Sequence, residues 1–96
     1  MTKKYEAMFI IRPDLSEEDK KVLFGQINDS VAKNGGQVLS ANIWAEKKKL
    51  YFTLKKYNDG TYYLMNFNIA PELIVKIRHV YNLNENILRV LITKAG

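Results

Sequence analysis

The sequence predicts an α+β fold in which two helices cover one face of a four-stranded antiparallel sheet. Four segments carry apolar side chains with the two-residue period of strands, and two segments carry them with the period of helices. Their order along the chain is strand, helix, strand, strand, helix, strand. Because the chain has 96 residues and no visible linker or repeat, a single domain over residues 1–96 is expected.

The first strand is expected over residues 3–12, because apolar side chains alternate there and Pro13 ends the run. Ser16 is a good helix N-cap, and the three acidic residues after it suit the positive end of a helix dipole. The first helix is expected to end at Gly35, since glycine readily takes the positive φ that ends helices. Its buried stripe is expected to contain Leu23, Phe24, Ile27 and Val31.

The second half of the chain predicts three strands and one helix. One long strand, or two short ones, is expected over residues 37–54. The Asp-Gly pair within residues 57–60 lies between apolar runs and predicts a hairpin turn there. A cleanly alternating strand is expected over residues 61–69, a second helix from Pro71, and a last strand over residues 87–94. The buried stripe of the second helix is expected to contain Leu73, Ile74, Ile77, Val80 and Tyr81.

This order of elements is the split βαβ, or ferredoxin-like, arrangement βαββαβ with right-handed crossovers. Both helices lie on one face of its sheet, so the other face is open. Alternation predicts that the open face carries Glu6, Met8, Ile10, Tyr62, Leu64, Asn66, Ile87, Arg89 and Leu91. A face this apolar is expected to be covered by a partner or a ligand.

Composition narrows the classes of partner. Lysine and arginine number 15 against 10 acidic residues, and the net charge of +5 favours a polyanionic partner such as nucleic acid. The absence of cysteine excludes disulfides and thiolate metal sites. No run approaches the roughly 18 apolar residues that a membrane span needs. A cytoplasmic protein without a membrane partner is therefore expected.

The sequence predicts no enzyme, and no catalytic, metal or cofactor site. His79 is the only histidine, and we expect it on the solvated side of the second helix. An acylphosphatase-like enzyme of the same fold would need a phosphate-binding loop after the first strand. There the chain offers a single arginine, Arg12, and the carboxylate of Asp14, which would repel an anion.

The open face admits two kinds of partner, single-stranded RNA or a protein. An RNA-recognition domain stacks bases on aromatic side chains of its central strands, and here Tyr62 is the only aromatic residue expected there. A protein partner is therefore the better interpretation. Trp44, the only tryptophan, is expected either in the core or as an anchor of that interface. The basic segments favour phosphate contacts, although lysines along a strand also protect an edge against aggregation.

Five segments resemble the bacterial small-subunit ribosomal protein S6 family. Residues 4–14 are similar to its opening strand and Pro-Asp turn, and residues 47–50 to its basic run before a leucine. Residues 63–67 and 70–72 resemble its third strand and second helix start, and residues 84–89 the entry to its last strand. Together these segments extend over nearly the whole chain. One departure is Tyr51-Phe52-Thr53, where the family often has Ala-Tyr-Pro.

The resemblance implies a structural constituent of the bacterial small ribosomal subunit, located in the cytoplasmic ribosome. Such proteins bind central-domain ribosomal RNA together with ribosomal protein S18 and help the platform of the subunit to assemble. RNA contact would then fall on the basic segments, that is on Lys3, Lys4, Lys47, Lys48, Lys49, Lys55, Lys56 and Arg89. Contact with the protein partner would fall on Met8, Trp44, Tyr62, Leu64 and Leu91. The alternative is a ferredoxin-like interaction module that oligomerises through its open sheet face.

Overall fold

The structure, a computed structural model, describes residues 1–95 and has the predicted α+β, ferredoxin-like architecture. Its elements are β1 (Lys3–Ile11), α1 (Glu17–Lys33), β2 (Gln37–Leu54), β3 (Tyr57–Ile69), a 3₁₀ turn (Pro71–Leu73), α2 (Ile74–Asn82) and β4 (Ile87–Lys94). All strand pairs are antiparallel, and the sheet order is β2-β3-β1-β4. Residues 37–54 form one long strand instead of two short ones.

Helix α1 begins where its capping residue predicts. Ser16 has an extended backbone, and its side-chain oxygen accepts a hydrogen bond from the Asp19 amide at 3.1 Å. After the last turn, Gly35 takes a φ of +77°, the left-handed conformation that ends many helices. Leu23 and the other apolar residues at helical spacing, Ile27 and Val31, are buried against the sheet. These local signals position α1 without help from distant residues.

The core lies between the two helices and one face of the sheet. Phe9 of β1 packs edge-on against Tyr81 of α2, with ring centroids 4.9 Å apart. The buried Tyr81 hydroxyl donates a 2.7 Å hydrogen bond to the Ile27 carbonyl of α1, which joins the helices. Val80 was expected in this core and is exposed instead, because the stripe of α2 runs through Ile74, Ile77 and Tyr81 and turns Val80 toward solvent.

The predicted position of the hairpin turn is wrong. The turn is formed by Lys55 and Lys56, both with positive φ, while Leu54 pairs with Tyr57. The Asp-Gly pair lies inside β3, where Gly60 serves close packing. A Cβ at position 60 would lie 2.6 Å from the Ile10 Cγ2 atom. Position 60 thus requires glycine because a neighbouring strand leaves no room for a side chain. Turn preferences, which depend only on nearby residues, do not reveal this.

The end of the β2–β3 hairpin forms a distinct arm, residues 44–57, that reaches toward β4. The pairing of β2 with β3 shifts register four times, and such bulges bend and twist a strand. As a result the Lys55 ammonium donates to the Ile87 carbonyl of β4 at 3.3 Å, although two strands separate β2 from β4 in the sheet. The Arg89 guanidinium of β4 lies 5.9 Å from the ring of Phe52 on the arm.

One residue assigned to the open face belongs to the core. The pairing of β1 with β4 shifts register after Ile10, so Ile87 lies opposite Ile11 and is 2% exposed. This bulge places two residues of β4, Ile87 and Leu88, where regular alternation allows one. The next residue, Arg89, returns to the open face opposite Ile10. The prediction failed because alternation assumes an unbroken ladder.

Candidate nucleic-acid and partner interface

The predicted partner residues come together on the open face of the sheet. Met8 lies between Leu64 of β3 and Leu91 of β4 in one row across the strands. Leu91 is 56% exposed, and the other two are half-buried. A shallow depression of about 190 Å³ extends from this row to Tyr62 and Arg89. We call this depression and the row beside it the apolar patch, formed by Met8, Ile10, Tyr62, Leu64, Arg89 and Leu91.

Trp44 extends the apolar patch onto the arm. Its side chain is 54% exposed, which excludes a place in the core and favours the interface interpretation. A register shift at this point of β2 brings the indole beside Tyr62, with ring centroids 5.6 Å apart and planes tilted by 63°. The Lys48 ammonium lies 4.5 Å from the Trp44 ring and 5.8 Å from the Tyr62 ring. Lys48 therefore marks the border between the apolar patch and the basic arm.

Five of the predicted RNA-contact residues are exposed on the arm, namely Lys47, Lys48, Lys49, Lys55 and Lys56. Within residues 1–95 none of them forms an ion pair, because the ion pairs there involve only Arg12 and Lys20 as bases. The nearest acid in sequence, Glu46, is bound by Lys20 of α1 at 2.8 Å. That hydrogen bond with the ammonium lowers the pKa of Glu46 from its ordinary value. The arm thus carries an excess of positive charge, with Asp59 of β3 opposite Lys49 in the strand pairing.

Three of these lysines have left-handed backbone conformations. The φ angles are +47° at Lys47, +46° at Lys55 and +74° at Lys56, and no other non-glycine residue within 1–95 has a positive φ. Glycine and asparagine adopt this region at much lower cost, and lysine costs about 1 kcal/mol or more per residue. Such strain concentrates at functional sites. Lysine thus occupies three strained positions of the arm where glycine or asparagine would cost less.

The eight predicted RNA-contact residues do not form one surface. Arg89 lies beside the arm through its contact with Phe52. Lys3 and Lys4 pair with the far end of β3, at Ile69 and Asn68. The lysines of the arm lie beyond the pair of Ile11 with Thr61, at least eight strand positions from Lys3, which corresponds to roughly 25 Å. Six of the eight residues therefore lie on or beside the arm, and the two N-terminal lysines are separate.

The geometry at the end of β1 argues against anion chemistry there. The Arg12 guanidinium binds the Asp14 carboxylate at 2.9 Å and 3.1 Å, and it lies 5.6 Å from the Tyr57 ring. The hydrogen bonds from Arg12 hold the pKa of Asp14 below its ordinary value. Arg12 is thus engaged by an acid and not free for a phosphate. His79 is exposed on α2, as expected.

Among residues 1–95, no three histidine or acidic side chains cluster closely enough to hold a metal ion. In the same part of the chain, no helix has both the length and the apolar character that crossing a membrane requires.

Two exposed aromatic residues of the arm, Tyr51 and Phe52, were not identified from the sequence. Tyr51 is fully exposed and Phe52 is 55% exposed, while their neighbour Leu50 is buried. Alternation could not assign them, because the pairing of β2 with β3 is irregular between Lys49 and Leu54. The available signal was their position within the basic run, since aromatic residues interleaved with lysines are typical of nucleic-acid-binding surfaces.

Comparison with known proteins gives a consistent result. Residues 4–94 match the family described as ribosomal protein S6. The small ribosomal subunit protein bS6 of Caldanaerobacter subterraneus subsp. tengcongensis is 34% identical over 92 residues, which cover 96% of each chain. Its counterpart from Thermoanaerobacter pseudethanolicus is 36% identical over the same length and coverage.

Solved structures show the same fold. The crystal structure of 30S ribosomal protein S6 from Thermotoga maritima has a TM-score of 0.89 and 22% identity, covering 99% of this chain and 89% of that one. A more distant likeness is the P2 domain of the chemotaxis kinase CheA from Thermotoga maritima. It has a TM-score of 0.60 and 12% identity, covering 99% of this chain and all of that one.

Proposed function

Since this chain belongs to the ribosomal protein S6 family of the small ribosomal subunit, we propose that it binds central-domain ribosomal RNA together with ribosomal protein S18 and aids assembly of the platform. The family consists of structural proteins, which confirms the prediction that the chain is not an enzyme. Membership also confirms the predicted location in the ribosome. The RNA and S18 contacts are the proposal.

The observation that carries the proposal is the row of exposed lysines on the arm, which have no acidic partners within residues 1–95. Each phosphate that a lysine neutralises releases a counterion into solution. This release favours binding, and it favours binding less as the salt concentration rises. Together with Arg89, the five lysines offer six phosphate contacts on and beside the arm. Lys3 and Lys4 would add a second, separate contact with RNA.

The apolar patch supports a protein partner rather than RNA. It combines half-buried and exposed aliphatic side chains with an exposed tryptophan, a composition that protein interfaces favour at their centre. Because Lys48 packs on Trp44, the patch and the arm share a border. Ribosomal protein S18 bound to the patch would therefore stand next to RNA bound to the arm, and each could assist the other's binding.

Binding to a central-domain RNA fragment across a salt series, with and without S18, tests the proposal. Tight binding is expected only with S18, and six phosphate contacts predict that log K falls with log salt with a slope of about −4 to −5. Trp44→Ala should weaken binding of S18, and Lys49→Gln should weaken RNA binding and reduce the slope by about 1. An RNA affinity that depends on neither the salt concentration nor the presence of S18 would refute the proposal.

The second candidate function is self-association through the same apolar patch. The exposed Leu91 and Trp44 favour it, because an uncovered apolar surface can also pair with a second copy. Sedimentation of the chain alone distinguishes the two candidates. A stable dimer that Leu91→Glu dissociates, with no binding of S18, would favour the interaction module.

A further inference from the structure

Tyr51 differs from the other aromatic residues on and beside the arm in what lies over its ring. Trp44 and Tyr62 have the Lys48 ammonium over their rings, Phe52 has Arg89, and Tyr57 has Arg12. The fully exposed Tyr51 ring has no stacking or cation–π partner among residues 1–95. Both faces of this large aromatic ring are therefore open to a partner on a basic surface.

The surroundings of Tyr51 identify the chemistry of that partner. A groove of about 380 Å³ beside the ring is lined by Lys48, Lys49, Leu50 and Tyr51. Leu50 is buried near Gly60, whereas the residues before and after it, Lys49 and Tyr51, are exposed to solvent. The groove thus joins an open aromatic face to positive charge without an acidic residue in its lining.

We infer that Tyr51 stacks on one unpaired nucleobase of RNA, while Lys49 holds a neighbouring phosphate. Base stacking on an exposed ring beside a cation is the recurrent arrangement for single-stranded nucleic acid. A protein partner fits this groove less well, because lysines are depleted at the centre of protein interfaces. The inference rests on the proposed RNA-binding function and adds a base-dependent contact to it. Trp44 and Phe52 suit this purpose less well, since a cation already lies over one face of each ring.

Two single-stranded probes of equal charge test the inference: heptauridylate and the same oligomer with abasic ribose at every position. At matched low salt, the full chain is expected to bind the uridine oligomer about tenfold more tightly. Tyr51→Ala should abolish this preference and Tyr51→Phe should retain it, because stacking needs the ring and not the hydroxyl. Lys49→Gln should weaken both probes equally and lower the salt slope by about 1.

The controls separate stacking from folding and from the proposed function. Val75→Ala removes another exposed apolar side chain, on α2, and should leave the preference intact. Tyr51 is fully exposed, so the thermal midpoint of Tyr51→Ala should equal that of the unmodified chain. The inference is overturned if the unmodified chain binds both oligomers equally or binds neither. It is also overturned if Tyr51→Ala keeps the preference for the uridine oligomer, whether or not this variant weakens the binding of S18. Failure to bind central-domain RNA with S18, despite a base preference, would refute the proposed function alone.

Discussion

Exchanging Lys55 and Lys56 for asparagine and glycine is expected to stabilise the protein and weaken its binding to RNA. Both lysines occupy left-handed backbone conformations, which cost each of them at least ~1 kcal/mol. Asn-Gly is the favoured pair for such a two-residue hairpin turn. Glycine makes the unfolded chain more flexible, which offsets roughly 0.5–1 kcal/mol. Loss of the long 3.3 Å bond from Lys55 to the Ile87 carbonyl removes about 0.5 kcal/mol more.

The remaining gain is ~0.5–1 kcal/mol, which would raise the melting temperature by a few degrees, about 5 °C at most. Two lost phosphate contacts should reduce the salt slope of RNA binding by about 1.5–2. Thermal unfolding and RNA titration at several salt concentrations measure the two effects on the same samples. Greater stability with weaker, less salt-dependent binding would show that lysine is kept in the turn for its charge.

The matched control is the exchange of both residues for arginine. Arginine has the same charge and the same difficulty with positive φ, so the Arg-Arg variant should keep the salt slope and the melting temperature. If the Asn-Gly variant melts lower than the unmodified chain, the assignment of strain to this turn is wrong. If its salt slope is unchanged, Lys55 and Lys56 do not contact phosphate.

Two further predictions concern the packing and the charges that position the arm. Gly60→Ala should destabilise the protein by about 1–3 kcal/mol in urea unfolding, because its Cβ would meet the Ile10 Cγ2 atom at 2.6 Å. The matched variant Gly25→Ala, with open space around its Cβ, should stabilise helix α1 by ~0.5–1 kcal/mol, and equal effects of the two would contradict the packing argument. The folded pKa of Glu46 is lowered by Lys20, so its contribution to stability exists above the unfolded value of 4.5 and is lost as the pH falls through the folded pKa. The stability difference between the unmodified chain and Glu46→Gln should therefore be present at pH 7 and vanish in acid, and a difference that persists at pH 2 would refute it.

Much of the fold could be predicted from local patterns. The cap at Ser16, the stripe of α1 and the alternation of β1 depend on residues close in sequence, and the structure confirms each of them. The turn and the position of Ile87 could not be predicted in the same way. Gly60 is required by Ile10 of a neighbouring strand, and the burial of Ile87 follows from a bulge in its pairing with β1. Such requirements arise only once distant strands are paired.

The candidate site also contains both residues that local alternation predicts and residues that it does not. Met8 and Leu91 were assigned correctly to one face, because the ladder between β1 and β4 is regular there. Tyr51 was not identified, since repeated register shifts in β2 remove the alternation that would reveal its exposure. Net charge alone carries no position, and only the pairing of β1 with β3 shows that Lys3 lies at the opposite end of the sheet from the end of the hairpin.

The irregularity that defeats prediction is also what gives the arm its shape. A regular β2 would continue flat beside β3, and its end would not bend toward β4. The bulges instead bend the arm until Lys55 bonds to β4 and Phe52 meets Arg89, so that basic residues stand beside the patch. Lys20 and Glu46 tie the start of the arm to α1, which limits how far it can swing away. A partner on the patch would therefore meet an arm already held beside it, and this would reduce the ordering cost of the proposed joint binding of partner and RNA.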